Sequence, residues 1–244
     1  MKTLIIIPSR LSATRLPGKP LLKINGLSII SHVVKNAEHA NIGEVYVATE
    51  DQEIFDDIHK NGGQAILTSK NHKTGTDRIY EALKKLDKKD IDLVINLQGD
   101  EPLMKSNDIK NLNNKMIISK SKIGTLASNF FNKDLYENQN VVKVKTTESL
   151  QVSNFPEAIN FMRKTKHSEQ NIYHHLGIYC YDIETLRRYV TIKQSSNEIK
   201  SKLEQLRALD NNIKINVAQA KSSPIGLDTM EDYVAIKKIM EYKS

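Results

Sequence analysis

Four short runs of mostly branched aliphatic residues recur through the first hundred positions: Leu4-Ile5-Ile6-Ile7, Val45-Tyr46-Val47-Ala48, Ala65-Ile66-Leu67 and Leu93-Val94-Ile95-Asn96-Leu97. Between them the apolar period changes. Ile29, Ile30, Val33, Val34 and Ala37, then Ile54, Phe55 and Ile58, then Ile79, Ala82, Leu83 and Leu86 fall at helical spacing. Gly43 and Gly62-Gly63 follow the first two of these segments as stop signals. Continuous apolar runs of four or five residues are strands covered on both faces. Their alternation with helices predicts an α/β fold whose central sheet is mainly parallel and flanked by helices.

Beyond residue 120 the pattern differs. Residues 123–128, 141–145 and 149–153 read as short strands with no helix between them, which predicts a smaller antiparallel extension spanning about 120–190. Residues 164–171 are polar and basic and read as a surface loop. Residues 174–182 return as a strand, 198–209 as one helix carrying Ile199, Leu203, Leu206 and Leu209, 213–217 as a strand and 229–240 as a last helix. No internal repeat and no long linker divides the chain, so residues 1–244 are expected to form a single domain with that lobe.

The net charge of +7 raises the question of a nucleic-acid partner, but the lysines are spread along the chain as pairs such as Lys84-Lys85 and Lys237-Lys238. No basic stretch is interleaved with aromatic residues for base stacking, so an acidic small substrate accounts better for the charge and a non-catalytic RNA-binding module is disfavoured. The single cysteine, Cys180, lies in an apolar run and is expected to be a buried thiol in a reducing cytoplasm. The opening Met1-Lys2-Thr3 and four aliphatics imitate a signal peptide, but Pro8-Ser9-Arg10 ends the stretch too early, and no run approaches membrane-spanning length.

The chemistry-bearing residues gather at the ends of the predicted strands. Arg10, Arg15 and Lys19 follow the first strand, where open α/β sheets place their ligands. Three scattered cations alone describe an ordinary basic loop. Pro17-Gly18-Lys19-Pro20, however, fixes the backbone on both sides of one lysine, and a mixture of Arg forks and a Lys point charge suits a chain of phosphates. Gln98-Gly99-Asp100-Glu101-Pro102 follows the Leu93–Leu97 strand, where Asp100 serves either as a cap or as a ligand for Mg²⁺. In Gly226-Leu227-Asp228-Thr229-Met230-Glu231-Asp232, Asp228 or Thr229 caps the last helix, and Asp228 can also hold a metal. His72-Lys73-Thr74-Gly75-Thr76-Asp77-Arg78 opens a helix with hydroxyls, a glycine and a cation, which also fits a plain threonine cap.

These stretches resemble the CMP-Kdo synthetases, the 3-deoxy-manno-octulosonate cytidylyltransferases, over nearly the whole chain. Ile7-Pro8-Ser9-Arg10 and Thr14-Arg15-Leu16-Pro17-Gly18-Lys19-Pro20-Leu21 carry the likeness most clearly, with Gln98–Pro102, the Asp228 stretch, His72–Arg78, His175-Leu176-Gly177-Ile178-Tyr179 and Leu203-Glu204-Gln205-Leu206-Arg207 beside them. The resemblance implies a Rossmann-like nucleotidyltransferase fold and an enzyme that joins CTP to an acidic eight-carbon sugar, giving CMP-Kdo and pyrophosphate for lipopolysaccharide biosynthesis. It further implies Lys19, Asp100 and Asp228 as catalytic residues, the two aspartates as Mg²⁺ ligands, and Arg10, Ala13, Thr14, Arg15, Lys19, Thr74, Gly75 and Arg78 as nucleotide contacts. Arg78, Gln98, His175, Tyr179, Glu204 and Gln205 would hold the sugar. A cytoplasmic homodimer is implied, with the irregular middle as its interface. Two positions depart from the family pattern: Asn154 replaces a cation, and His174 stands where a basic arginine or lysine is common. They leave open a related acid such as 8-amino-Kdo.

Overall fold

The computed structural model describes residues 1–12, 15–130, 132–165 and 169–242, which divide into two compact units, one of residues 1–109 with 224–244 and one of residues 110–223.

In the first unit, β1 (Thr3–Ser9) is buried at every position. A hairpin of β2 (Lys23–Ile24) and β3 (Leu27–Ser28) turns at Asn25-Gly26 and delivers the chain to α1 (Ile29–Glu38), whose N-cap Ser28 accepts a hydrogen bond from the Ser31 amide at 3.2 Å. There follow β4 (Gly43–Thr49), α2 (Gln52–Lys60), β5 (Ala65–Leu67), α3 (Gly75–Leu86) and β6 (Leu93–Leu97). β1 pairs in parallel with β4 on one side and β6 on the other, and β5 pairs in parallel with β4. The spatial order β6-β1-β4-β5 reverses direction at β1, so the carboxyl ends of β1 and β6 flank a topological switch point, where parallel sheets leave a crevice. The C-terminal helix, Met230–Glu241, closes this unit, burying Ile236 with Leu227, Leu16, Ile24 and Ile29 in a small apolar cluster.

The chain passes from one unit to the other within α4 (Ser106–Ser119). The second unit contains β7 (Ile123–Ser128), β8 (Lys143–Thr146), β9 (Ala158–Met162), β10 (Ile172–Asp182), α5 (Ile183–Tyr189), α6 (Ser196–Ser201), α7 (Leu206–Asp210) and β11 (Ile215–Gln219). Their order is β11-β7-β10-β8-β9. β11 runs parallel to β7, the other pairs are antiparallel, and β10 carries an irregularity between Leu176 and Tyr179. Lys143 is fully buried, and its ammonium donates to three backbone carbonyls, those of Asn138, Val141 and Arg163, at 2.6, 2.8 and 2.9 Å.

Two expectations about this region are corrected, and one helix was not foreseen. Residues 149–153 are a turn, in which the Ser149 carbonyl accepts from the amides of Val152 and Ser153, and Val152 is exposed; the strand lies further on, at β9. The region also has the helix α4, hidden because Asn107, Asn111, Asn113 and Asn114 interrupt its apolar stripe although Ile109, Leu112 and Met116 are buried. Residues 198–209 are two helices, because Lys202 takes a left-handed φ of 52° and ends α6.

His174 and His175, adjacent on β10, face opposite sides of the strand. His174 stacks near Phe130 and meets the Ser223 hydroxyl at 3.3 Å, while His175 meets the Thr125 hydroxyl at 2.9 Å and abuts the edge of Phe161. Burial lowers the His174 pKa to about 4, helped by Lys143, and lowers that of His175 to about 3, helped by His174. Both rings are neutral in the fold, whereas an unfolded histidine takes up a proton below about pH 6.5. Stability is therefore lost as pH falls from 6.5 towards 4. Chemical denaturation at pH 8, 6, 5 and 4 should show a shallower decline for His174→Gln than for the unaltered protein.

Candidate active site

The loop after β1 is a compact structure. The Leu11 amide donates to Asp51 at 2.7 Å, and the Gly18 amide reaches back to the Leu11 carbonyl at 3.1 Å. Gly18 adopts φ 71°, a left-handed conformation that favours glycine, and leads into a single helical turn, residues Lys19–Leu21, with Pro20 inside it. Leu16 is pinned in the apolar cluster described above. The outcome is an aimed lysine. Its ammonium donates to Asp100 at 2.6 Å and to the Leu227 carbonyl at 2.6 Å, and it contacts Asp228 at 3.4 Å. Burial works against its charge, but Asp100 and then Asp228 outweigh that cost, and the Lys19 pKa lies above the ordinary lysine value.

The two aspartates are held by backbone. The Leu227 amide donates to the Asp100 carbonyl at 2.8 Å, tying the segment after β6 to the segment before the C-terminal helix. The N-cap of that helix is Thr229, which exchanges hydrogen bonds with Asp232 in a capping box. Because Thr229 and Asp232 do the capping, the Asp228 carboxylate faces cations instead, meeting Arg15 at 3.0 Å as well as Lys19.

Around this point lies a cavity of about 360 Å³, lined by the loop cations Arg10 and Arg15, the start of α3, and Gln98 and Asp100 after β6. Arg10 is exposed and has no ion-pair partner among the described residues. Thr74 caps α3 by accepting from the Asp77 amide at 3.2 Å, and Gly75 packs so closely on β1 that an added Cβ would lie 3.3 Å from the Pro8 ring. Gln98 donates to Asn96 at 3.1 Å. Arg78 also lines the cavity, but it is buried, paired with Glu50 and bonded to the Thr68 hydroxyl at 2.7 Å, so its charge is balanced within the protein. Ala13 and Thr14 lie outside the described residues.

The remaining sugar-binding candidates stand in the second unit. His175 and Tyr179 have ring centroids 5.3 Å apart, and the Tyr179 hydroxyl pKa is raised well above the ordinary value by burial, then by Tyr181 and Glu204, so Glu204 lies within electrostatic reach of it. Gln205 is buried beside Glu204 at the joint between α6 and α7.

Sequence reasoning passed over two residues. Ser9 sits at the carboxyl end of β1 on the cavity wall, and its buried hydroxyl has no hydrogen-bond partner among the described residues. Its signal was its place directly after Pro8. His72 reaches Glu81 on α3, and Glu81 also accepts from the Ser69 amide at 3.0 Å, which holds the turn that opens α3. No sequence pattern links positions 69, 72 and 81.

Asp100 and Asp228 are the two carboxylates at this point that a divalent metal would use. Both carboxylates contact one cationic nitrogen, so they converge on a single point. Among the described residues no cluster of three or more His, Cys, Asp or Glu forms. Mg²⁺ accepts such a partial protein shell, because it takes one or two carboxylates and completes its six oxygens with phosphates and water.

A loop carrying Arg10, Arg15 and Lys19 at the switch point of a parallel sheet, opposite two acidic side chains, has the features of an α/β enzyme that acts on an anionic substrate. The chain matches the cytidylyltransferase family model over residues 4–215 and belongs to that family. It is 40% identical to the 3-deoxy-manno-octulosonate cytidylyltransferase of Nitrobacter winogradskyi over 98% of this chain and 94% of the relative, and 42% identical to that of Afipia carboxidovorans over 98% and 96%. Among solved structures it is similar to a CMP:2-keto-3-deoxy-manno-octonic acid synthetase complexed with CTP, with a TM-score of 0.88 and 32% identity over all of both chains. A Leptospira borgpetersenii cytidylyltransferase shares the fold, with a TM-score of 0.65 and 20% identity over 99% of this chain and 87% of that one.

Leu227→Ala tests how the apolar cluster serves the site. The leucine is fully buried, so its truncation should cost about 2–4 kcal/mol in chemical denaturation and, by loosening Asp228 and Lys19, raise the KM for nucleotide several-fold.

Proposed function

We propose that this chain is a 3-deoxy-manno-octulosonate cytidylyltransferase. It joins CTP to the eight-carbon acid to give CMP-Kdo and pyrophosphate, the activated form used in lipopolysaccharide assembly. The single observation that supports this most is the Lys19 ammonium held between Asp100 and Asp228 at the wall of the cavity.

The anomeric hydroxyl attacks the α-phosphorus; a new O–P bond forms, the bond to the β-phosphate oxygen breaks, pyrophosphate leaves, and the hydroxyl proton passes to solvent. Catalysis of this kind is positioning and charge neutralisation. Exposed Arg10 and Arg15 meet the β and γ groups. Lys19 is already desolvated and aimed, so it stabilises charge developing on the α-phosphate without reorganising. Asp100 and Asp228 would hold Mg²⁺, which supplies Lewis-acid charge to the phosphates. In the second unit His175, Tyr179, Glu204 and Gln205 bind the sugar.

A cytoplasmic setting belongs to the same reading, since CTP is a cytoplasmic substrate, and so does the homodimer that the family resemblance implies; no helix among the described residues is long and apolar enough to cross a membrane. Light scattering on the purified protein tests the dimer, with a mass near twice 27.7 kDa expected.

Four nucleoside triphosphates assayed against Kdo and 8-amino-Kdo, with pyrophosphate release as the readout, test the substrate assignment. The amino sugar is included because neutral His174 and Asn154 supply no positive charge. CTP with Kdo should be the preferred pair; another preferred nucleotide would overturn the proposal. Lys19→Ala and Asp100→Asn should each lower turnover at least 100-fold while circular dichroism stays unchanged. Near-normal pyrophosphate release from folded Asp100→Asn would refute the mechanism.

A further inference from the structure

We infer that Glu198 and Arg207 are positioning residues for the sugar: a buried ion pair that sets the elbow on which Glu204 and Gln205 stand. The inference rests on the reading that these two side chains bind the sugar. The guanidinium of Arg207 makes a two-pronged contact with Glu198, Nε to Oε2 at 2.9 Å and Nη2 to Oε1 at 2.6 Å, and both side chains are at most 3% exposed. Glu198 is simultaneously the third residue of α6, where its carboxylate accepts from the Ser195 amide at 3.1 Å and from Gln194 at 3.0 Å. The Tyr189 ring lies under the guanidinium at 4.9 Å, and its hydroxyl donates to the Glu204 carbonyl at 2.8 Å. The Arg207 amide donates to that same carbonyl at 3.1 Å. From the other side Arg163 donates to the carbonyls of Ser201 and Lys202 at 3.0 and 2.9 Å. Side chains thus tie down the backbone at 201, 202 and 204, and the pair clamps the two helices that meet there.

Stability alone does not account for such a pair. Two charges taken out of water attract strongly but cost a large desolvation energy, and apolar replacements of similar volume are often neutral or stabilising. A guanidinium–carboxylate fork does supply what an apolar contact lacks, a fixed distance and a fixed plane. Here that geometry fixes how α7 leaves α6, and therefore where two consecutive polar side chains point. An uninterrupted helix over the same residues would separate them by the ordinary helical turn and carry Glu204 elsewhere.

The experiment compares Glu198→Gln/Arg207→Met with the unaltered protein by thermal melting and by steady-state kinetics in both substrates. The double variant is expected to melt within a few degrees of the original, to keep its KM for CTP, and to show a KM for the sugar raised at least tenfold. Arg207→Lys, which keeps the charge but loses the fork, should fall between. Tyr189→Phe removes only the hydroxyl that holds the Glu204 carbonyl, and should raise the sugar KM several-fold with the fold intact even where the double variant does not fold. Glu204→Ala is run in parallel. If it raises the sugar KM while the folded double variant and Tyr189→Phe leave it unchanged, the positioning role is refuted and the sugar reading stands. If Glu204→Ala leaves the sugar KM unchanged, the sugar reading fails and the inference falls with it. Equal losses towards CTP and sugar would mean a general structural role and would also refute it.

Discussion

One ammonium group keeps the first unit's site in order. Lys19 is only 15% exposed, an environment in which an isolated amine tends to shed its proton, yet its pKa is raised because Asp100 and Asp228 share it. The dependence runs both ways. Two carboxylates converging on one point repel each other, and the ammonium between them offsets that repulsion. The rest of the unit serves this geometry: β1 ends beside β6 at the switch point, Gly18 and Pro20 set the lysine backbone, Leu16 and Leu227 anchor its loop and the segment before the C-terminal helix, and the Leu227 amide fastens the two acidic segments together.

The second unit meets its proposed sugar by different means. Its candidate residues are mostly rings and polar groups whose charge is suppressed or balanced. His175 is held neutral, the Tyr179 proton is held tightly, and the charge of Arg207 is matched by Glu198. Phosphates demand cations that can be presented to water, and Arg10 in the first unit is exposed as its proposed role requires. A polyhydroxylated ring demands orientation, which buried hydrogen-bond geometry supplies and exposed charge does not. The family membership fits this division, since a cytidylyltransferase must hold a highly charged nucleotide and a second substrate in one defined orientation.

Much of this was legible in the sequence because the first unit follows period rules. Strands β1, β4, β5 and β6 have aliphatic runs and helices α1, α2 and α3 have clear helical stripes, and Pro17-Gly18-Lys19-Pro20 singles out one lysine, whereas the two-residue strands β2 and β3 carry no such signal. What escaped depends on tertiary contacts. Arg78 reads as a ligand-facing cation until Glu50, distant in sequence, is seen to neutralise it. The α4 helix was obscured by asparagines whose places only the fold reveals: Asn107 and Asn114 are exposed, Asn111 donates to the Gln219 carbonyl at 3.1 Å, and Asn113 is buried. The 198–209 stretch has a helical period throughout, but Lys202 in a left-handed conformation divides it, and nothing local to Lys202 announces that. The 149–153 turn had the residue types of a strand without a neighbour to pair with.

Lys143 has a consequence of its own. Its nitrogen, wrapped by three carbonyl oxygens and sealed from water, occupies the kind of nest a potassium ion would, and burial together with Arg163 brings its pKa down to about 8. An ammonium has three hydrogens for three acceptors, whereas the neutral amine has two. In mildly alkaline solution one of those oxygens must therefore go unserved, and the knot that joins the chain at 138, 141 and 163 slackens by one strand without any bond being broken elsewhere.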